Sequence, residues 1–136
     1  MDIRTLPEPG TYRGPVLCHL AGISYRQLDY WDRTRLLQPS IAIAQGSGSQ
    51  RLYCREDLLL AVAIRRLRIL GLTLQCVRHL VDPVLPGAPM GLRDAIQRGR
   101  KWWTTAPNSG AGVWLDLEEI RRWLEDAEAR FEPPAA

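Results

Sequence analysis

The side chains best suited to chemistry in this chain are guanidinium, phenol and hydroxyl groups concentrated between residues 24 and 51. Guanidinium groups donate paired hydrogen bonds to phosphate or guanine, while phenols and hydroxyls donate to phosphate oxygens. We therefore consider this set as candidate contacts to a nucleic-acid duplex: Ser24, Tyr25, Arg26, Tyr30, Arg33, Arg35, Ser47, Ser49, Gln50 and Arg51.

Sequence signals place the first half of this set on a short helix. Ser24-x-x-Gln27 is a capping box, in which each residue can satisfy a free backbone N–H of the other, so a helix is expected to start at Ser24. Pro39 disfavours helical geometry in the residue before it, so the helix should fade around residues 35–37. Trp31 is expected in the core, bracing the helix.

The second half of the set lies in a predicted hairpin. Residues 41–43 and 51–53 have strand-like composition, and the tip at residues 45–50 contains Gly46 and Gly48. A short helix fits the major groove of DNA, and a basic hairpin can reach the neighbouring phosphates. The order helix, break, hairpin predicts a winged helix-turn-helix that binds double-stranded DNA.

The expected fold class is mostly α with a small β-hairpin wing, plus a small α+β C-terminal segment. Pro15 opens a first helix that runs to about Ala21, Glu56 and Asp57 begin a long helix that ends near Gly71, and Thr73 caps a fourth. We predict four parts: a flexible arm at 1–13, a DNA-binding domain at 14–82, a linker at 83–91 and a C-terminal domain at 92–132.

The C-terminal segment is predicted to contain a helix over residues 92–97, strands at 101–105 and 112–115, and a helix from a capping box at Asp116 to about Phe131. It holds four of the five tryptophans, which are candidates for dimer or partner contacts: Trp102, Trp103, Trp114 and Trp123. Neighbouring Trp102 and Trp103 must face opposite sides of a strand, so one of them is expected to be exposed. The alternatives are that large rings fill a very small core, or that they line a pocket for a small ligand.

The charge distribution agrees with a DNA-binding N-terminal half. Residues 1–82 hold 11 Arg and 7 acidic residues, whereas residues 83–136 hold 7 basic and 8 acidic residues, within a net charge of +3. Attraction to phosphate favours such a basic half. No apolar run is long enough to cross a bilayer and the N-terminus has no signal-peptide pattern, so we expect a cytoplasmic, nucleoid-associated protein without membrane contact.

The sequence contains no recognisable motif for catalysis, metal binding or cofactor binding. Cys18, Cys54 and Cys76 show no metal-ligand spacing, and Cys18 and Cys76 are expected to be buried. No Ser/His/Asp set or phosphate-binding glycine loop occurs, and Gly46-x-Gly48 lacks the rest of a dinucleotide motif. We therefore expect a protein that is not an enzyme and that needs no metal and no cofactor.

The spacing of these elements resembles the N-terminal domain of the MerR family of bacterial winged-helix transcription regulators, particularly an actinobacterial subgroup. The resemblance covers residues 15 to 81 and rests on Gly22-Ile23-Ser24, Leu28, Tyr30-Trp31, Leu36-Leu37, Pro39, Arg51-Leu52-Tyr53, Glu56-Asp57 and the run from Arg65 to Leu74. It implies that Tyr30 and Arg51 contact phosphate.

Two features depart from that family pattern. Asp29 stands where the family usually has Arg; it could pair with Arg26 or Arg33 on the same helix, or accept a hydrogen bond from cytosine. The Pro- and Gly-rich stretch after residue 82 replaces the long dimerisation helix, which puts the usual coiled-coil dimer in doubt.

Three functional hypotheses follow. The first is a sequence-specific transcriptional regulator, dimeric because one short helix reads only a few base pairs. The second is a DNA-bending, excisionase-like accessory factor. The third is an adaptor that docks RNA polymerase, a sigma factor or another regulator through its C-terminal domain.

Overall fold

A computed structural model of the protein describes residues 10–41, 51–105 and 112–131. The elements in chain order are β1 (Thr11–Arg13), α1 (Gly14–Ala21), α2 (Tyr25–Arg33), β2 (Leu52–Cys54), α3 (Arg55–Ile69), α4 (Leu74–Val81), α5 (Leu92–Gln97), β3 (Trp102–Thr105), β4 (Gly112–Leu115) and α6 (Leu117–Arg130). The mostly α fold with small antiparallel strand pairs confirms the predicted fold class.

The helices begin at the predicted caps. Ser24 Oγ accepts the Gln27 N–H at 3.1 Å and Gln27 Oε1 accepts the Ser24 N–H at 2.9 Å, which confirms the first capping box. Thr73 Oγ1 accepts the Cys76 N–H at 3.1 Å. Asp116 accepts two N–H groups at the start of α6. The second predicted box is only half formed, because the Glu119 carboxylate binds Arg66 instead.

The flexible arm predicted through residue 13 is wrong at its last three residues. Thr11–Arg13 forms β1 and pairs antiparallel with β2, with Tyr12 opposite Tyr53. Both rings are buried. A three-residue strand is too short to show periodicity, and its partner lies some forty residues later in the chain, so no local pattern indicates it.

The predicted hairpin is described only at its base. The Ile41 N–H donates to the Leu52 carbonyl at 3.1 Å, which is the contact expected where two antiparallel strands begin to separate. Residues 42–50 lie outside the described residues, so the wing tip with Ser47, Ser49 and Gln50 stays a prediction.

Helix α3 lies at the centre of the core. Every residue from Asp57 to Ile64 is buried, and α1, α5 and α6 all pack on this helix. The Asp57 carboxylate, although buried, is satisfied, because it accepts hydrogen bonds from Ser40 N–H, Ser40 Oγ and Cys54 N–H at 2.7–3.0 Å. It thereby fixes the chain that enters the wing to the chain that leaves it.

The segment after the predicted linker completes the same core. Leu92 of α5 and Ile120 and Leu124 of α6 are fully buried in one hydrophobic cluster with α1, α2 and α3. Tyr12 Oη donates to Glu128 of α6 at 2.8 Å, and Arg55 pairs with the same carboxylate at 3.3 Å. Whether residues 14–82 and 92–132 fold independently of each other is not tested by these contacts, so the division into two domains stays a prediction.

Candidate nucleic-acid interface

Helix α2 has one face in the core and one face in solvent. Leu28 and Trp31 are 0% and 3% exposed, which confirms the prediction for Trp31. Tyr25 and Tyr30 are 44% and 46% exposed, and Arg26 is exposed as well. Because residues three apart share a helix face, burying positions 28 and 31 turns positions 26 and 30 outward. The outward face is therefore both cationic and aromatic.

Arg26 is the free cation on this face. Among the residues that the structure describes, it has no hydrogen-bond or ion-pair partner. Arg33, at the end of the helix, is 66% exposed in its side chain and pairs with Asp29 at 3.0 Å. Its guanidinium carbon lies 6.0 Å from the Tyr30 ring centroid. Arg26 can therefore approach a phosphate or a base without breaking an existing contact.

The Arg51 side chain does not extend into solvent, as a side chain that contacts phosphate would be expected to do. Its side chain is only 11% exposed, Nη2 donates to Asp29 Oδ1 at 2.7 Å, and Nε lies 3.0 Å from Asp32 Oδ2 without hydrogen-bond geometry. Its guanidinium carbon also lies 5.8 Å from the centroid of the Tyr25 ring. Arg51 thus joins the base of the wing to two carboxylates and one ring of α2.

The charges of this network stabilise one another. A hydrogen bond from Arg51, supported by Arg33, holds the pKa of the Asp29 carboxyl below its ordinary value. The hydrogen bond to Asp29 raises the pKa of Arg51 in turn. Of the alternatives for Asp29, the pair with Arg33 is present, and the Arg51 pair is one that the sequence analysis did not consider. Because both partners are cationic, the repulsion between Asp29 and an approaching phosphate is reduced.

The end of α2 is held by two arginines that sequence reasoning missed. Arg78 of α4 donates to the Thr34 carbonyl at 3.0 Å and also contacts the Thr34 hydroxyl. Arg93 of α5 donates to the Leu36 carbonyl at 2.7 Å and pairs with Asp82 at 2.8 Å. Carbonyls at a helix C-terminus lack backbone partners, so guanidinium donors stabilise them. No local signal could have identified these residues, since their partners are about 44 and 57 positions away.

Arg35 lies in the same turn, in a left-handed conformation with φ 65°. Its side chain is exposed, so it is available at the end of α2 as the sequence analysis expected. Ser24 is exposed, but its hydroxyl already serves as the helix cap. The structure therefore places Tyr25, Arg26, Tyr30 and Arg33 on α2, Ser24 and Arg35 just outside its two ends, and Arg51 beside it.

The four C-terminal tryptophans do not form one group. The prediction that Trp102 contacts a partner is corrected, because this side chain is only 3% exposed and its Nε1 donates to the Met90 carbonyl at 3.1 Å. Trp103 and Trp114 are 56% and 54% exposed and lie opposite each other on β3 and β4. Trp123 is 41% exposed on α6. The expectation that one of the neighbouring pair is exposed is thus confirmed.

Tyr53 and the cysteines lie outside the outward face of α2. Tyr53 is fully buried, and burial raises its pKa. Cys18 is buried, as predicted, with its pKa raised to about 11 by burial, whereas Cys76 is only half-buried. Among the described residues no group of His, Cys, Asp and Glu could hold a metal ion. Across the same residues, no helix is both long and apolar enough to span a membrane.

A helix, a tight turn at Gly22 and a second helix with a basic outer face form a helix-turn-helix, and β2 follows the segment that is predicted to form a wing. Residues 12–83 match the description "MerR HTH family regulatory protein", and this match covers more than half of the chain. The chain therefore belongs to the MerR family of helix-turn-helix regulatory proteins.

Curated relatives share this region. Proteins named as uncharacterized HTH-type transcriptional regulators in Mycobacterium bovis and Mycobacterium tuberculosis are 55% identical over 71 residues, which is 52% of this chain and 32% of each relative. The aligned part of the chain thus spans about a third of the length of these relatives. A solved MerR-family transcriptional regulator from Bacillus cereus aligns over 88% of this chain and 71% of its own, with 18% identity and a TM-score of 0.47.

Proposed function

We propose that this protein is a DNA-binding transcriptional regulator whose α2 enters the major groove of a duplex. The observation that carries the proposal is the outward face of α2, where Arg26 is exposed and without a partner among the described residues, and where Tyr25 and Tyr30 are exposed as well. The membership of residues 12–83 in the family supports it. Arg26 reads a base edge or holds a phosphate, and Tyr30, Arg33 and Arg35 contact the backbone.

In this proposal Arg51 acts mainly by positioning. Its contacts with Asp29 and Asp32 fix the base of the wing against α2, so that the predicted tip residues Ser47, Ser49 and Gln50 lie over the adjacent phosphates or the minor groove. The contact between its guanidinium and the Tyr25 ring fixes the first aromatic side chain of the recognition helix. A phosphate contact by Arg51 itself remains the alternative that the sequence resemblance implies.

The first test is a duplex selected from random sequence by the full chain, followed by fluorescence anisotropy over a range of salt concentrations. Arg26→Ala is expected to weaken binding by about 1–3 kcal/mol and to relax preference at one position if Arg26 reads guanine. If it holds only phosphate, affinity falls equally on all sequences and the salt slope decreases by about one.

The matched control for Arg26→Ala is Arg122→Ala, which removes an exposed arginine from α6. This control is expected to leave affinity and salt dependence unchanged. Failure to select any duplex, or equal effects of the two substitutions, would contradict the assignment of α2 as the DNA-binding helix.

We further propose that the regulator acts as a homodimer through the C-terminal region. The exposed Trp103 and Trp114 pair supports this proposal, because tryptophans at the centre of an interface contribute strongly to binding. Light scattering on the full chain tests it. Trp103→Ser with Trp114→Ser should convert a dimer into a monomer, whereas the same change at exposed Tyr30 should not alter the mass.

A monomer in solution that still needs the two tryptophans for transcriptional control would instead favour a protein partner such as RNA polymerase or another regulator. Direct-repeat sites with cooperative filament formation would favour the excisionase-like accessory role.

A further inference from the structure

An open notch of about 380 Å³ lies between the end of α1, the turn that follows it and the last two turns of α6. We refer to it as the α1–α6 notch. Trp123 and Ala127 of α6 line one side of it, together with Phe131, which follows the helix directly as its C-cap. Trp123 and Ala127 are four residues apart and therefore lie one above the other on the helix, so the small Ala127 side chain leaves a gap that the two aromatic residues border.

The notch is positively charged. Arg65, Arg130 and His19 contribute to its lining, and none of the nine described residues that line it carries a carboxylate. Arg65 has no hydrogen-bond or ion-pair partner among the described residues, and its guanidinium lies across the turn, about 3.1 Å from where a Cβ on Gly22 would be. Arg130 is 73% exposed in its side chain and is bound only loosely by Asp126, at 3.4 Å. His19 is occupied with the Phe131 ring, at 5.0 Å between centroids.

We propose that the α1–α6 notch binds a small amphipathic monoanion, namely a carboxylate attached to an aromatic or compact apolar body. The apolar body would lie over Ala127 between Trp123 and Phe131, and the carboxylate would meet the guanidinium of Arg65. The volume is at the lower end of the range for small-molecule sites, which fits a ligand with a single ring. The positive lining without a carboxylate selects the anion against a neutral or cationic relative.

Among the described residues, none that lines the notch belongs to α2, so the site is separate from the proposed DNA-binding helix. The proposal therefore stands or falls independently of DNA binding. Its position beside Gly22, two residues before the Ser24 cap of α2, nevertheless places any occupant next to the turn of the helix-turn-helix.

The test is an NMR titration of the full chain with phenylacetate, with phenylacetamide as the neutral isostere and acetate as the anion without a ring. Phenylacetate is expected to shift the amide signals of Gly22 and Ala127 in a saturable manner. The two comparison compounds should bind more weakly, phenylacetamide by about two- to fivefold if it loses one exposed charge pair.

Two substitutions locate the site. Ala127→Leu fills the gap between the rings and should abolish the saturable shifts, with its melting temperature serving as a check of folding. Arg65→Met should weaken the binding of phenylacetate by about two- to fivefold relative to the unaltered protein. The affinity for phenylacetamide, which carries no charge, should stay the same. Arg122→Met, an exposed arginine on α6 outside the notch, is the matched control and should change neither.

Several outcomes would overturn the proposal: no saturable shift with phenylacetate, shifts confined to other parts of the chain, equal affinity for the acid and its amide, or unchanged binding in Ala127→Leu. Shifts that depend on protein concentration instead of ligand concentration would show that the notch is a contact between copies of the chain.

Discussion

At the scale of single residues, two arginines of the proposed DNA-binding set, Arg26 and Arg51, differ in exposure and in their partners. Arg26 is exposed and without a partner among the described residues, whereas Arg51 is 11% exposed in its side chain and bound by two carboxylates. A free guanidinium contributes to binding, while a bound one contributes to the shape of the surface. Substitutions of the two arginines should therefore differ in their effects on the stability of the protein and on the salt dependence of DNA binding.

Arg51→Ala should lower the free energy of unfolding by about 1–3 kcal/mol, because the hydrogen bond to Asp29 and the ion pair with Asp32 are lost and the two carboxylates remain near each other. Urea denaturation measures this change. Arg26→Ala should stay within about 0.5 kcal/mol of the unaltered protein, as is usual for exposed positions. If instead Arg51→Ala leaves stability unchanged and reduces the salt slope of DNA binding by about one, Arg51 is a phosphate contact.

The Asp29 carboxyl should make stability depend on acidity. Its pKa is lower in the folded protein than in the unfolded chain, so the stabilisation is fully present above the ordinary pKa and is lost as the pH falls through the lowered one. The difference in free energy of unfolding between the unaltered protein and Asp29→Asn should therefore shrink as the pH decreases below about 4. Asp126→Asn, which alters an exposed pair on α6, is the control. A difference that stays constant from pH 6 to pH 2.5 would contradict this account.

At the scale of elements, α2 is a nine-residue helix that cannot be stable alone and is held at both ends. The Ser24–Gln27 capping box fixes its start, and the Arg78 and Arg93 contacts fix the turn after its end. The recognition surface is therefore positioned by α4 and α5 as well as by its own sequence.

Ser24→Ala should cost about 1 kcal/mol of stability through loss of the cap and should also weaken DNA binding, because the first turn carries Tyr25 and Arg26. Asp116→Ala removes a side-chain cap from α6, which does not contact the ends of α2 in this account, and is the matched control. It should cost a similar amount of stability with little effect on DNA affinity. Anisotropy and urea denaturation on both variants separate the two effects, and an equal loss of affinity in both would argue against a specific role for the start of α2.

At the scale of the whole molecule, one core joins the family-matched region to the segment behind it. Helix α3 packs against α1, which precedes it in the chain, and against α5 and α6, which belong to the C-terminal segment. The C-terminal segment thus contributes to the stability of the helix-turn-helix, in addition to any role in assembly.

Ile120→Ala in α6, at a fully buried position, should lower the free energy of unfolding of the whole chain by about 2–5 kcal/mol. Hydrogen exchange should show the loss at slow amides of α1 and α3 as well as those of α6, because side chains of all three helices belong to one hydrophobic cluster. Arg122→Ala on the exposed side of α6 should show neither change. Protection of α1 and α3 that is unaffected by Ile120→Ala would indicate two independently folding domains.

The sequence alone determined those features that depend on neighbours along the chain. The capping box at Ser24, the cap at Thr73, the buried Trp31 and the alternation of Trp102 and Trp103 follow from helix and strand periodicity, and the order of these signals indicated the family. Four further features became apparent only from the folded structure: the pairing of β1 with β2, the burial of Arg51 beside Asp29 and Asp32, the arginine contacts behind α2 and the packing of α6 on α3. These contacts join residues that are far apart in the chain, and side-chain charge at such distances carries no local pattern from which its partner could be inferred.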